Sequence, residues 1–353
     1  MSRAHDSARM IDWDFAVKVG STMAGEGPVV TADEAAECVA QLREDARRSS
    51  PLVREFTNLH AAERTAPVLV VNRAGWVQAN ADAFAQIMQP LVTKLFERKG
   101  APGALTRAVG SRVAGAEVGA LLGFMGNKVL GQFDPFHEAP GEHGRLLLVA
   151  PNIVHVEREL DVDSDDFRLW VCLHEETHRV QFTAVEWMRD YLSGELAAFI
   201  DAVPSDPAQL ASDLFARIAD IVTGKSQGSL LDLVGSPEQK AVLDRMTGVM
   251  SLLEGHADVV MDGVGPEVIP SVALIRERFT KRRKGVGGLD RILRRLLGLD
   301  QKMAQYRDGA IFVREAVEAV GMEGLNAVWT GPDHLPSKAE ILDPKLWLSR
   351  IHG

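Results

Sequence analysis

The sequence predicts a mainly α-helical fold with a small β-sheet. Three observations lead there. Apolar residues recur at helical spacing through most of the 353 residues, only two short runs have the look of strands, and Gly and Pro punctuate the breaks between segments.

The helical segments come first. Residues 32–48 carry Ala and Leu at helical spacing, with Thr31 or Asp33 as the cap. Residues 79–98 repeat the pattern, and Pro90 is expected to kink or split that helix. Strands are expected at Pro67–Asn72 and Arg145–Ala150, short apolar runs bounded by turn formers. From Asp163 to about Tyr191 the pattern reads as one long helix or two joined ones. Asp163 or Ser164 would cap it, and Asp165 and Asp166 suit the positive end of the helix dipole. Further helices are expected at 206–223, 237–262, 268–282, 288–320 and 336–342, with breaks at Gly235-Ser-Pro237 and at Gly263 to Pro266.

Composition bounds the function. The chain is long enough for one large domain or two ordinary ones, and its 46% hydrophobic and 25% charged residues fit a soluble globular protein. A net charge of −10 argues against a general nucleic-acid binder. Two cysteines, Cys38 and Cys172, exclude both a disulfide framework and a four-cysteine zinc site, so any metal must rely on His and carboxylate. The N-terminal MSRAHDSARMIDWDF lacks the apolar core and cleavage site of a secretory signal, and a cytoplasmic location is expected. Gly115, Gly119 and Gly123 follow the spacing that lets helices approach closely. Because Glu117, Asn127 and Lys128 interrupt that stretch, a tightly packed soluble helix is expected there and no stable membrane span. The basic run Lys281-Arg-Arg-Lys284 lacks the order of a phosphate-binding loop. It reads as a solvated connection, with a weak anion or partner contact as the alternative.

The chemistry gathers at His174-Glu175-Glu176-Thr177-His178. On a helix, positions i and i+4 share a face, so both imidazoles reach one metal ion while the backbone stays regular. Glu175 is turned away from the ligands yet borders the first, which suits it to work on a metal-held water. The motif follows the apolar Trp170 to Leu173, and Gln181 and Phe182 continue its face one turn later. A catalytic zinc needs a third protein ligand. Glu254 is the leading candidate. It shares a face with Asp258 and with Met250, Ser251, Ala257 and Met261, too apolar a setting for two solvent-facing acids. Glu254 would ligate, Asp258 would accept a hydrogen bond from a ligand histidine, and Gly255 would let this helix approach the first closely. His256 is the rival third ligand, and a structural acid pair bonded to Arg is the alternative for Glu254 and Asp258.

HEETH followed by an ExxxD helix resembles the gluzincin branch of zinc metallopeptidases. The wording is closer still to an uncharacterised bacterial family described as zinc-dependent metalloproteases or hydrolases, some members of which are associated with deazaflavin-coenzyme biosynthesis. The matching phrases are LLLVAPNIV (146–154), DFRLWVCLHEETHRVQF (166–182), LLEGHAD (252–258), GLDQKMAQYRDG (298–309) and LNAVW (325–329). The resemblance implies a zincin-like helical fold with a small β-sheet, Zn2+ as cofactor, Glu254 as third ligand and Asp258 supporting a ligand histidine. The interval from His178 to Glu254 is much longer than in the best-studied gluzincins and leaves room for an inserted helical hairpin. Residues 1–110 would form an N-terminal helical region and 111–353 the catalytic region, with one continuous domain as the alternative.

The expected activity is that of a zinc metallopeptidase-type hydrolase acting on a peptide or small amide. Glu175 would be the general base, and Tyr306, on a helix with Lys302 and Gln305, the candidate donor to the oxyanion. By analogy, residues 145–150 would align an extended peptide by edge pairing. A catalytically silent zinc-binding scaffold or partner module and a hydrolase of non-peptide bonds are the competing readings.

Overall fold

A computed structural model describes residues 10–60, 66–99, 104–139, 142–202, 236–284 and 299–353. The chain divides into two units, one of residues 1–49 and 64–175, the other of residues 50–63 and 176–353. The division falls inside two helices and leaves residue 110 within the first unit.

The first unit begins with α1 (Trp13–Ala24), which Asp12 caps by accepting from the Phe15 amide at 3.0 Å. Next comes α2 (Ala32–Thr57), whose first turn is closed by a reciprocal pair: Thr31 Oγ1 accepts from the Glu34 amide, and Glu34 accepts from the Thr31 amide. The helix runs past the expected end at 48 and through Pro51, because Val53 and Thr57 are fully buried and hold its last turns. Then follow β1 (Val68–Val71), α3 (Arg73–Lys99), assigned as one helix across Pro90, and α4 (Ala104–Gly126). Strands β2 (Gly131–Ala139) and β3 (Glu142–Val149) lead into α5 (Ala150–Leu160).

The sheet order is β1-β3-β2, with β1 parallel and β2 antiparallel to β3. Leu146 to Val149 of β3 are buried, as expected of the sheet's middle strand. The sequence reading of 145–150 as an edge is therefore corrected: β3 is paired on both sides, and β2 forms an edge. Register along β2 shifts between Asp134 and Glu138, around Pro135. Helices α1 and α4 pack with their backbones nearly touching. A Cβ at Gly119 would strike the Ala16 carbonyl, and one at Gly123 would lie 2.7 Å from that of Gly20. This is the tight helix pair expected from the glycine spacing, and among the described residues no helix is long and apolar enough to cross a membrane.

The 163–191 segment is two helices, α6 (Ser164–Ala184) and α7 (Glu186–Asp201), broken at Val185. In the second unit, α8 (Pro237–Gly263) opens with a capping box from Ser236 and Gln239. It is followed by α9 (Gly265–Val268), α10 (Val272–Lys284), α11 (Leu299–Leu325), α12 (Lys338–Leu342) and α13 (Pro344–His352). Gly255 of α8 faces Gly309 of α11, and a Cβ at either would run into the other helix's backbone. So Gly255 serves a close crossing with α11 and not, as expected, an approach to the HEETH helix. The helix expected at 206–223 and the start of that expected at 288–320 lie outside the described residues.

Candidate metal centre

The site is built on α6. Asp163 caps the helix by accepting from the Asp166 amide at 3.0 Å, and Asp165 and Asp166 put negative charge where the dipole is positive. Phe167 and the run Leu169–Leu173 are buried. Arg168, between them, grips Glu157 of α5 with two bonds of 2.9 and 2.7 Å. An almost buried bidentate pair of this kind fixes the rotation of α6 about its axis before the motif begins.

One turn separates His174 from His178 on this continuous helix. Their ring nitrogens and a carboxylate oxygen of Glu254, on α8, all lie within 4.8 Å of one another, and Glu254 Oε2 is 3.7 Å from His178 Nε2. Donors to one zinc ion sit about 2 Å from it, so three donors gathered this closely reach a common point with small side-chain adjustments. The donor set of two imidazoles and one carboxylate also suits zinc, whose catalytic sites take His2Glu with a position left for water.

Glu175 is 6% exposed and lies against the first residue of β2. A Cβ at Gly131 would stand 2.5 Å from its Cγ and 2.8 Å from its Oε1. Only a residue without a side chain leaves room for the carboxylate there. Glu176 turns the other way and is wholly buried. Arg179 donates to both its oxygens at 2.7 and 2.8 Å, and burial pushes its carboxyl up in pKa although Arg179, Ser50 and Arg54 pull it down.

Behind the candidate ligands, His178 Nδ1 is 2.9 Å from Gln181 Oε1, and Gln181 Nε2 is 3.0 Å from both the Leu253 carbonyl and His256 Nδ1. His256 is fully buried. Burial, with His178 nearby, pushes its pKa down to about 3, so the ring is neutral. It packs edge-on to Trp329 with ring centres 5.4 Å apart. The rival third ligand is thus a core histidine behind the site.

One expectation meets a different outcome, and another falls on residues whose side chains are not described. The Asp258 carboxylate is held by Arg276 and Arg314, which also bind Asp262, so the structure corrects its expected bond to a ligand histidine. Opposite charge from α10 and α11 claims the acid first, and its partner in that cluster is Asp262, not the Glu254 of the alternative Arg-bonded pair. Tyr306 falls in the opening turns of α11, where its side chain lies outside the described residues, as do those of Lys302 and Gln305. Gly131 and the bonding of Gln181 were not foreseen. Gln181 gave one signal, a polar residue on the motif's buried face three positions after His178; Gly131 gave none.

The model of the zincin-like metallopeptidases matches residues 11–348. The chain belongs to this family. For a zincin-like metallopeptidase the donor set above is of the expected kind, and the family binds zinc generally. A solved structure from Chloroflexus aurantiacus is similar over 97% of this chain and 99% of that one, at 29% identity and a TM-score of 0.70. That protein is provisionally assigned as a hydrolase and its fold is described as novel. No curated protein matches this zincin-like chain.

Proposed function

We propose that the protein is a zinc-dependent hydrolase of peptide or small amide bonds, with His174, His178 and Glu254 as metal ligands and Glu175 as general base. The observation that carries this reading is the gathering of three ligand atoms within 4.8 Å, with a buried, non-ligating carboxylate next to the first of them. A site with a purely structural metal has no use for that acid.

Bound zinc supplies Lewis acidity and lowers the pKa of a water to about 7. Glu175 takes the proton released as the water attacks and delivers it to the departing nitrogen. Its seat against Gly131 limits the carboxylate's freedom, so it is oriented before substrate arrives. The neighbouring strand suits an extended substrate: β2 is an edge of the sheet, and its regular segment Gly131–Asp134 starts beside Glu175. Tyr306 is retained as the donor to the developing oxyanion.

Elemental analysis of the purified chain, combined with digestion of an unbiased peptide library, tests the proposal. One zinc per chain is expected, with cleavage that collapses in Glu175→Gln while zinc stays bound. His174→Ala should lose the metal. No zinc uptake overturns the reading, and zinc without cleavage of any peptide, amide or ester puts a silent zinc-binding scaffold in its place.

A further inference from the structure

We propose that Gln181 is the positioning residue of the metal centre: its side-chain amide sets which nitrogen of His178 faces the metal and holds the turn of α8 that carries Glu254. This rests on the zinc reading above and adds a residue to it.

The argument starts from a carbonyl oxygen, which can only accept. Leu253 O lies 3.0 Å from one end of the Gln181 amide, so that end is the nitrogen. The other end, 2.9 Å from His178 Nδ1, is then the oxygen. An oxygen in that place requires a hydrogen on His178 Nδ1. With Nδ1 protonated, the neutral ring presents the lone pair of Nε2, the atom 3.7 Å from Glu254 Oε2, to the metal side. The second amide hydrogen points at His256 Nδ1, 3.0 Å away, and is accepted there. His256 therefore carries its proton on Nε2, which has no hydrogen-bond partner among the described residues.

Turning the amide over would break this pattern. Its oxygen would face the Leu253 oxygen, a repulsion that no change of tautomer in either ring relieves. Gln181 is fully buried, so water offers it no substitute. The three bonds fix one orientation of the amide and, through it, one tautomer of each ring.

The same amide spans two helices. Gln181 sits one turn after the second ligand on α6, and Leu253 immediately precedes the third on α8. A single side chain thus sets the direction of one ligand and the place of the other. It does so without adding charge, whereas the aspartate expected in that role, Asp258, is occupied by arginines.

Nitrogen-15 NMR of histidine-labelled protein at alkaline pH, paired with zinc affinity from chelator competition, tests the inference. Wild type should show His178 protonated at Nδ1 and His256 at Nε2, with or without zinc. Gln181→Leu should lose the His178 preference and bind zinc about 10–100-fold more weakly. Gln181→Glu keeps an acceptor for His178 but sets an oxygen against the Leu253 carbonyl, so it should keep the His178 preference and recover only part of the affinity, while His256 moves its proton to Nδ1 to meet the carboxylate. A wild-type His178 protonated at Nε2 in the metal-free protein overturns the proposal, as do equal zinc losses in the two variants with His178 unchanged. Failure of wild type to take up zinc would instead refute the metal reading, and the metal-free spectra would still report on the amide.

Discussion

Gly131 shows how much of the position of Glu175, the proposed base, can rest on an atom that is not there. Its φ is not among the positive values that favour glycine, so space and not backbone conformation calls for it. The atoms a new Cβ would meet all belong to the Glu175 side chain, which can swing away. Gly131→Ala should therefore leave the fold and the ligands alone and displace the base. We expect zinc content and thermal stability near wild type with hydrolysis lowered by about 10²-fold, the scale of loss for an ångström-sized misplacement. Steady-state rates on a peptide found in the library screen, beside zinc stoichiometry, check it; unchanged turnover would show that Glu175 has slack. At this scale the convergence of His174 and His178 was legible, because one helix sets their spacing. Asp258 was misread because a carboxylate's partner is decided by whichever cation folding brings to it, here Arg276 and Arg314. Gly131 meets Glu175 across 44 positions of sequence, and nothing local announces the meeting.

Helix α2 was legible as an element because burial on one side leaves a 3.6-residue imprint. Strand β2 left no such trace. Pro135 and the register shift interrupt the alternation that would mark it, so its sequence GQFDPFHEA reads as a loop. The C-terminal elements α12 and α13 share one acid. Glu340 closes the capping box of α12 with Ser337 and takes Arg350 of α13 on both oxygens, at 2.6 and 3.1 Å. Burial pushes its pKa up, but Arg350 and Ser337 outweigh that and hold it below 4.5. A depressed carboxyl contributes stability above its unfolded pKa and loses it as pH falls through the folded value. Stability should therefore fall as pH drops below about 4.5, and Glu340→Gln should be less stable at neutral pH with a shallower decline in acid. Denaturant melts across pH check this; parallel curves for the two proteins would remove Glu340 as a contributor.

For the whole molecule, the fold class followed from composition and periodicity, while the division into units did not. Residues 50–63 group with 176–353, and a boundary that re-enters the sequence cannot be seen by moving along it. The proposed ligands lie on two helices, α6 and α8, far apart in sequence, and come together only in the folded chain, so zinc should stabilise the fold. At about a thousandfold excess over Kd the gain is about 4 kcal/mol. Calorimetry with and without chelator should show the transition rise with zinc in wild type and stay put in His174→Ala. The helix that bears the motif also uses the letters in between. Glu176 and Arg179 close a buried ion pair on the side of α6 away from the ligands. HExxH, with its two open positions, describes only the chemistry; HEETHR also describes how this helix is seated. Removing either Glu176 or Arg179 would therefore leave the proposed ligands in place and strip α6 of the ion pair that seats it.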